Sequence, residues 1–123
     1  MIIKILYIAT GGALGSILRF FISYIFKIYF IYFPVGTLFI NIVGSFLAGL
    51  FISYLHNKEV SEIVIKYFFI IGFLGSFTTF SAFSIENIEL IKQNEITLSL
   101  FYIIASVILS ISAAFAGFTL IKI

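Results

Sequence analysis

The sequence predicts an all-α membrane protein with four transmembrane helices in each subunit. Hydrophobic residues make up 63% of its 123 positions and charged residues only 10%, whereas soluble domains are roughly half apolar and a quarter charged. The apolar residues form four runs, each long enough for a helix across a bilayer, which takes about 20 residues. The third run is interrupted near its middle by glycines and hydroxyl residues. In a single domain spanning 1–123, the predicted helices are approximately 4–30, 34–56, 63–91 with a break at 75–79, and 96–121.

The first helix carries an unexpected charge. Arg19 lies well inside the apolar run, where a guanidinium is costly to bury. Its long stem permits it to snorkel toward the headgroups, or it supplies a fixed positive potential at the mouth of an anion route. The run has glycines at positions 11, 12 and 15 and lacks the cleavage pattern of a signal peptide, so we interpret it as the first helix of the mature protein.

The second helix is predicted to begin at Pro34, because a helix does not need the N–H of its first residue. Thr37, Asn41 and Ser45 recur at a spacing of four and therefore share one polar face. The Asn41 amide has two possible uses in a membrane. It either forms a hydrogen bond between helices or donates its NH2 group to an anion.

The break in the third helix, within residues 72–84, predicts a binding or transport site. Irregular backbone at membrane depth survives only where protein or an aqueous path satisfies its polar groups. Phe80 and Phe83 are three residues apart and are flanked by Thr79, Ser81 and Ser84. The electropositive edge of a phenyl ring can favour an anion, so these rings beside hydroxyls suit a small hard anion.

The end of the third helix carries Glu86 and Glu89, which are expected to mark where it leaves the hydrocarbon, in a structural or interfacial role. On the fourth helix, Tyr102, Ser106 and Ser110 recur at a spacing of four. They form either a ladder of hydroxyl donors or a set of serines that bond back to their own helix.

Small residues repeat at the spacing of close helix contacts, between or within subunits. The pairs are Gly11 and Gly15, Gly44 and Ala48, Ser45 and Gly49, and Ala113 and Gly117. Four helices leave little interior for a private pore, so we expect an oligomer. If the termini and the loop at residues 56–62 share a side, four lysines there oppose two on the other side. Such a weak positive-inside bias permits insertion in both orientations and an antiparallel dimer.

The residues discussed above match a known family. The chain resembles the small dual-topology fluoride channels, also called the CrcB fluoride ion transporter family, over its whole length. The most specific segments are 36–45 (GTLFINIVGS) and 72–86 (GFLGSFTTFSAFSIE). It departs from the family pattern at Ala82, where threonine is frequent, at Phe77, where a smaller aliphatic residue is usual, and at Ser76, where glycine is common.

The resemblance implies an antiparallel homodimer with two parallel pores that exports fluoride passively across the bacterial plasma (inner) membrane. It also implies a structural sodium ion at the dimer centre, held by the backbone carbonyls of Gly75 and Thr78. Arg19 would lie toward an aqueous vestibule. The expected partners are fluoride, membrane lipid and a second copy of the chain, with no nucleic acid. The implied pore residues are Asn41, Thr79, Phe80, Ser81, Phe83, Tyr102, Ser106 and Ser110.

Three other classes of function fit the sequence less well. A small proton-coupled multidrug exporter needs an acid in its first helix, and residues 1–33 contain none. A non-transporting subunit would leave the polar stripes unexplained, because each is costly in lipid. An enzyme is not expected, since the chain has no Cys, no Asp and a single His, His56, in a polar loop. A thiol nucleophile or a Ser-His-Asp triad cannot be assembled from that inventory.

Overall fold

The computed structural model describes residues 1–57 and 62–121 as a set of helices. Helix α1 is followed by α2, by a π-helical segment that we name π1, and by α3, α4 and α5. Segments π1, α3 and α4 together form one interrupted span, so four helical units are long and apolar enough to cross a membrane. The predicted fold class is confirmed, including the broken third span. The bounds are α1 Ile2–Tyr29, α2 Val35–Asn57, π1 Val64–Leu74, α3 Gly75–Phe77, α4 Phe80–Lys92 and α5 Ile96–Leu120.

The chain reversals follow from local chemistry. Pro34 lies just before α2, and its carbonyl accepts the Leu38 N–H at 3.3 Å. After α4, Asn94 adopts a left-handed conformation with φ of 60°, which asparagine tolerates better than most residues. This turn lets the Glu95 N–H reach the Leu90 carbonyl at 2.8 Å and directs the chain into α5. The other predicted polar loop, at 56–62, falls mainly on residues 58–61, outside the described residues.

Glycines bring helix backbones into direct contact within the subunit. A Cβ added at Gly11 or Gly15 would overlap a backbone carbonyl of π1. A Cβ at Gly49 would overlap the Ala114 carbonyl of α5, and a Cβ at Gly117 would overlap the Phe46 carbonyl of α2. The small-residue faces that contain these four glycines therefore join α1 to π1 and α2 to α5 inside one chain.

Most of the apolar surface of the single chain is uncovered. Large side chains along the helices are well exposed, including Phe20 at 65%, Ile111 at 67% and Phe115 at 69%. A soluble monomer rarely exposes so extensive an apolar surface. These helices therefore require hydrocarbon or another subunit around them, and the chain is a multi-pass integral membrane protein.

Two small clusters of buried side chains lie on either side of the break. Ile40, Leu74 and Phe77 form the first, packed between α2 and the residues that precede the break. The second consists of Phe83, Leu90 and Tyr102, between α4 and α5. The break therefore lies between two packed regions, which hold its two ends in place.

Candidate ion-binding site

The helix break is confined to Thr78 and Thr79, which have extended backbone with ψ of 149° and 122°. We predicted a break over 75–79, but Gly75–Phe77 remains α-helical. The reason is a double hydrogen bond to the Leu74 carbonyl, which accepts the Thr78 N–H at 3.1 Å and the Thr78 hydroxyl at 2.9 Å. These bonds close the helical turn as far as Thr78, and the chain leaves the helix only after it.

The Asn41 carboxamide satisfies both peptide groups of Thr79. The Thr79 N–H donates to Asn41 Oδ1 at 2.9 Å, and Asn41 Nδ2 donates to the Thr79 carbonyl at 3.1 Å. In lipid an unsatisfied peptide group is expensive, so this paired contact stabilises the extended conformation. One Nδ2–H of Asn41 is used here, and a primary amide carries a second.

The break removes the helical donors of the carbonyls of residues 75–78, and Gly75 and Thr78 are two of these four. In a continuous helix the Gly75 carbonyl would accept the Thr79 N–H, and the Thr78 carbonyl would accept the Ala82 N–H. The Thr79 N–H turns to Asn41, and the Ala82 N–H donates to Thr79 Oγ1 at 3.1 Å as an N-cap bond. The oxygens of Gly75 and Thr78 are thereby released from the helical pattern, and carbonyl oxygens are the ligands that hard cations prefer.

Arg19 contacts the same region from α1. Its Nε donates to the Ser76 carbonyl at 3.1 Å, at the C-terminal end of α3, where a positive charge complements the helix dipole. Among the described residues, Arg19 is not part of the lining of the two cavities described below. Its side chain is thus engaged at the break.

A groove of about 300 Å³ lies beside the break and gathers most of the predicted pore residues. The rings of Phe80 and Phe83 lie in it with centroids 5.4 Å apart and planes tilted by 43°. Polar groups from α2, the break and α5 face these rings, while Ser81 is exposed, with its hydroxyl 3.1 Å from that of Thr79. The lining residues are Asn41, Ser45, Thr78, Thr79, Phe80, Phe83, Ser106, Val107, Ser110 and Ile111.

Ser106 presents a buried hydroxyl to this groove. The side chain is 7% exposed, and within residues 1–57 and 62–121 its Oγ has no hydrogen-bond partner. Buried hydroxyls in proteins are almost always paired. A buried donor without a partner in a residue that lines the groove is therefore a candidate contact for a ligand.

A second cavity, of about 280 Å³, contains the Glu86 carboxylate. Thr37 donates to Glu86 Oε1 at 2.5 Å, and Tyr102 donates to Oε2 at 3.3 Å. The Tyr102 ring is fully buried, and its centroid lies 5.0 Å from that of Phe83. Tyr102 thus contacts Phe83 in the groove wall with its ring and Glu86 in the second cavity with its hydroxyl. Lys27 also lines this cavity.

Glu86 is the member of the site whose contacts the sequence analysis missed. We interpreted it only as a marker of the helix end, yet its carboxylate binds hydroxyls from α2 and α5. Its position three residues after Phe83 was the available signal, because that spacing places both side chains on one face of α4. Which hydroxyls it would meet could not be foreseen, since they come from two other helices.

The comparisons with known proteins agree on one family. A family model described as CrcB-like protein, camphor resistance (CrcB), matches residues 6–118. The chain is 43% identical over 119 residues to a protein of Agrobacterium fabrum named fluoride-specific ion channel FluC, with 96% of this chain and 95% of that protein covered. A protein of the same name from Flavobacterium psychrophilum is 42% identical, with 96% of both chains covered. Another from Rhizobium etli is 41% identical over 121 residues, with 98% of this chain and 97% of that one covered.

Proposed function

The chain belongs to the CrcB-like family, and from this premise we infer that it is a fluoride-specific ion channel and not an enzyme. The structural observation that supports this inference is the groove beside the helix break. It combines two phenylalanine rings, an amide and an unpaired buried hydroxyl from three membrane-spanning units. These groups provide hydrogen-bond donors and ring edges to an anion, and the described residues that line the groove include no Lys or Arg.

The groove supplies what a strongly hydrated anion needs. A pore must replace the water around fluoride with other donors, and selectivity follows from their fit and field. Asn41 retains a second N–H, and Ser106 and Ser110 line the same groove. Phe80 and Phe83 offer ring edges, whose positive potential attracts an anion in a site with little water.

Glu86 lies on the proposed route beyond Phe83 and competes with the anion. Its carboxylate already accepts the hydroxyls of Thr37 and Tyr102. A fluoride ion that reaches the second cavity can use these donors only when the carboxylate turns away or is protonated, because two neighbouring negative charges repel each other. We therefore place Thr37, Glu86 and Tyr102 at one end of the pathway.

A single chain presents its site on its own surface, which supports a dimer. Phe80 is 78% exposed and Gly75 is also exposed, although both belong to the break. In lipid, the released Gly75 and Thr78 carbonyls would have no partner, and irregular backbone in contact with lipid is not tolerated. A second copy in antiparallel orientation would cover this surface and complete two pores, one for each copy of the groove.

The released carbonyls also fit a structural sodium ion. Gly75 and Thr78 would hold it through their oxygens, one pair from each subunit, and both oxygens have lost their helical donors to other groups. Sodium is a hard cation that supplies a fixed positive charge to such oxygens when bound. Side chains occupy the neighbouring carbonyls of Ser76 and Thr79, which restricts the choice of ligands.

The test is anion flux from liposomes that contain the purified protein. We expect rapid fluoride efflux and little chloride efflux, measured with ion-selective electrodes and an ionophore that clears the membrane potential. Equal chloride flux would contradict the proposed selectivity. Drug uptake coupled to a proton gradient would favour the exporter, and an absence of any flux would favour a non-transporting subunit.

A further inference from the structure

We propose that Asn41 is a positioning residue that couples the cation-binding carbonyls to the anion groove by clamping the Thr79 peptide. This inference rests on the proposed sodium site. The clamp itself consists of the two hydrogen bonds at 2.9 and 3.1 Å between the Asn41 amide and Thr79. Asn41 is therefore more than a donor on the pore wall.

The position of Thr79 in the chain gives the clamp its effect. Thr79 lies directly between Thr78, whose carbonyl is one of the proposed cation ligands, and Phe80, which lines the groove. Fixing both peptide groups of Thr79 sets the direction in which the chain leaves Thr78 and enters α4. A shift of this one residue changes the carbonyl on one side and the ring on the other.

Removal of the clamp restores competition for the Gly75 carbonyl. With Asn41 in place, the Thr79 N–H points to Oδ1 and away from Gly75. Without it, the N–H has to find another acceptor in a region with little water, and the Gly75 carbonyl is the one a regular helix would use. Such a closure of the helix would withdraw the Gly75 oxygen from the cation.

Arg19 binds the chain on the other side of the break. Its hydrogen bond to the Ser76 carbonyl holds the end of α3 toward α1. Ser76 lies between Gly75 and the first cluster residue Phe77, so the turn that carries the Gly75 oxygen is fixed at both ends. Asn41 remains the residue proposed to join the two ion sites, because its side chain lines the groove and binds the Thr79 peptide groups of the break.

Two measurements on purified protein separate a clamp from a simple pore donor. The first is amide hydrogen exchange across residues 74–82 in wild type, Asn41→Ala and Ser110→Ala. We expect about tenfold faster exchange in Asn41→Ala, because the Thr79 amide loses its acceptor. Ser110→Ala changes the same groove without touching the break, so its exchange should equal that of wild type.

The second measurement is the rise in unfolding temperature when sodium replaces N-methylglucamine. A cation that binds only the folded state stabilises it by an amount that grows with the logarithm of its concentration relative to the Kd. We expect Asn41→Ala to lose this rise and Ser110→Ala to keep it, although both variants reduce fluoride flux. If Asn41→Ala does not fold, Asn41→Ser serves in its place, because a hydroxyl is too short to bind both peptide groups of Thr79.

The two measurements distinguish failure of the Asn41 clamp from failure of its coupling to the sodium site. Unchanged exchange at residues 74–82 in the Asn41 variant overturns the clamp, whatever happens to flux. Faster exchange together with a wild-type sodium response overturns the coupling to the cation site. If wild type itself shows no sodium response, the proposed sodium site fails, and the exchange result alone then decides on the clamp.

Discussion

The unpaired hydroxyl of Ser106 leads to a prediction in which stability and activity change in opposite directions. Ser106 Oγ is buried beside the groove and lacks a partner in the described part of the chain. A buried unsatisfied hydroxyl costs about 1–3 kcal/mol of stability. Ser106→Ala removes that cost and leaves only a small void, so the free energy of unfolding should stay the same or rise by up to about that amount.

The same substitution should impair permeation. A hydrogen bond to a charged group contributes about 1.5–3 kcal/mol, and each 1.36 kcal/mol added to a barrier is tenfold in rate. If fluoride uses the Ser106 hydroxyl at the rate-limiting point, flux should fall by about tenfold or more. The assay is fluoride efflux from liposomes at equal protein density, paired with thermal unfolding in detergent.

Ser53 provides a matched control for this experiment. It is 1% exposed, and its hydroxyl also has no partner among residues 1–57 and 62–121, but it does not line the groove. Ser53→Ala should be as stable as wild type or more so, and it should conduct normally. Normal flux in a stable Ser106→Ala variant would refute the assignment of Ser106 to the pathway. An equal loss of flux in Ser53→Ala would show that the effect is not local.

Two further predictions concern the rings and the helix contacts. Phe83→Ile should reduce fluoride flux without preventing dimer assembly, because the side chain keeps its bulk but loses the aromatic ring beside Phe80. Undiminished flux, measured with an ion-selective electrode, would show that this ring serves only packing. Gly49→Ala should lower the yield of folded protein and the unfolding temperature, because its Cβ would overlap the Ala114 carbonyl. Gly12→Ala is the control and should lower the unfolding temperature less, because its Cβ meets only the Ser76 side chain at 3.1 Å and the Gly72 carbonyl oxygen at 3.7 Å. Equal unfolding temperatures for these two variants would show that the α2–α5 contact at Gly49 is no tighter than the contact at Gly12.

The sequence was sufficient for the spans and for most of the polar and aromatic residues that line the groove, although Ser81 and Tyr102 lie outside that lining. Apolar run length determines the spans, because the bilayer has a fixed thickness. The spacing of four in α2 and α5 placed Asn41, Ser106 and Ser110 on inward faces, since the helical period decides which residues share a face. The broken span was visible because glycines and hydroxyls are out of place in a lipid-facing run.

The sequence could not reveal which partner each polar group takes. From the sequence, Asn41 could equally be a donor in the pore or a contact between helices. Only the fold places both Thr79 peptide groups beside its amide. The 11-residue π-helical segment π1 was also unforeseen, because the apolar pattern is the same for an α-helix. In the structure, glycines at positions 11, 15 and 72 set its backbone directly against α1.

The distribution of polar groups around the break would allow one short segment to serve the proposed ions of both signs. A free cation and a free anion close together would pair with each other unless the protein separates them. Here the oxygens of Gly75 and Thr78 are released from the helix, while the hydroxyl and amide donors gather in the groove. Thr79 lies between the two, and its own N–H and carbonyl are both taken up by Asn41. A substitution that frees the Thr79 carbonyl would place a new acceptor next to the anion route, and we therefore expect Asn41 variants to be more damaging to fluoride flux than the loss of any single hydroxyl in the groove.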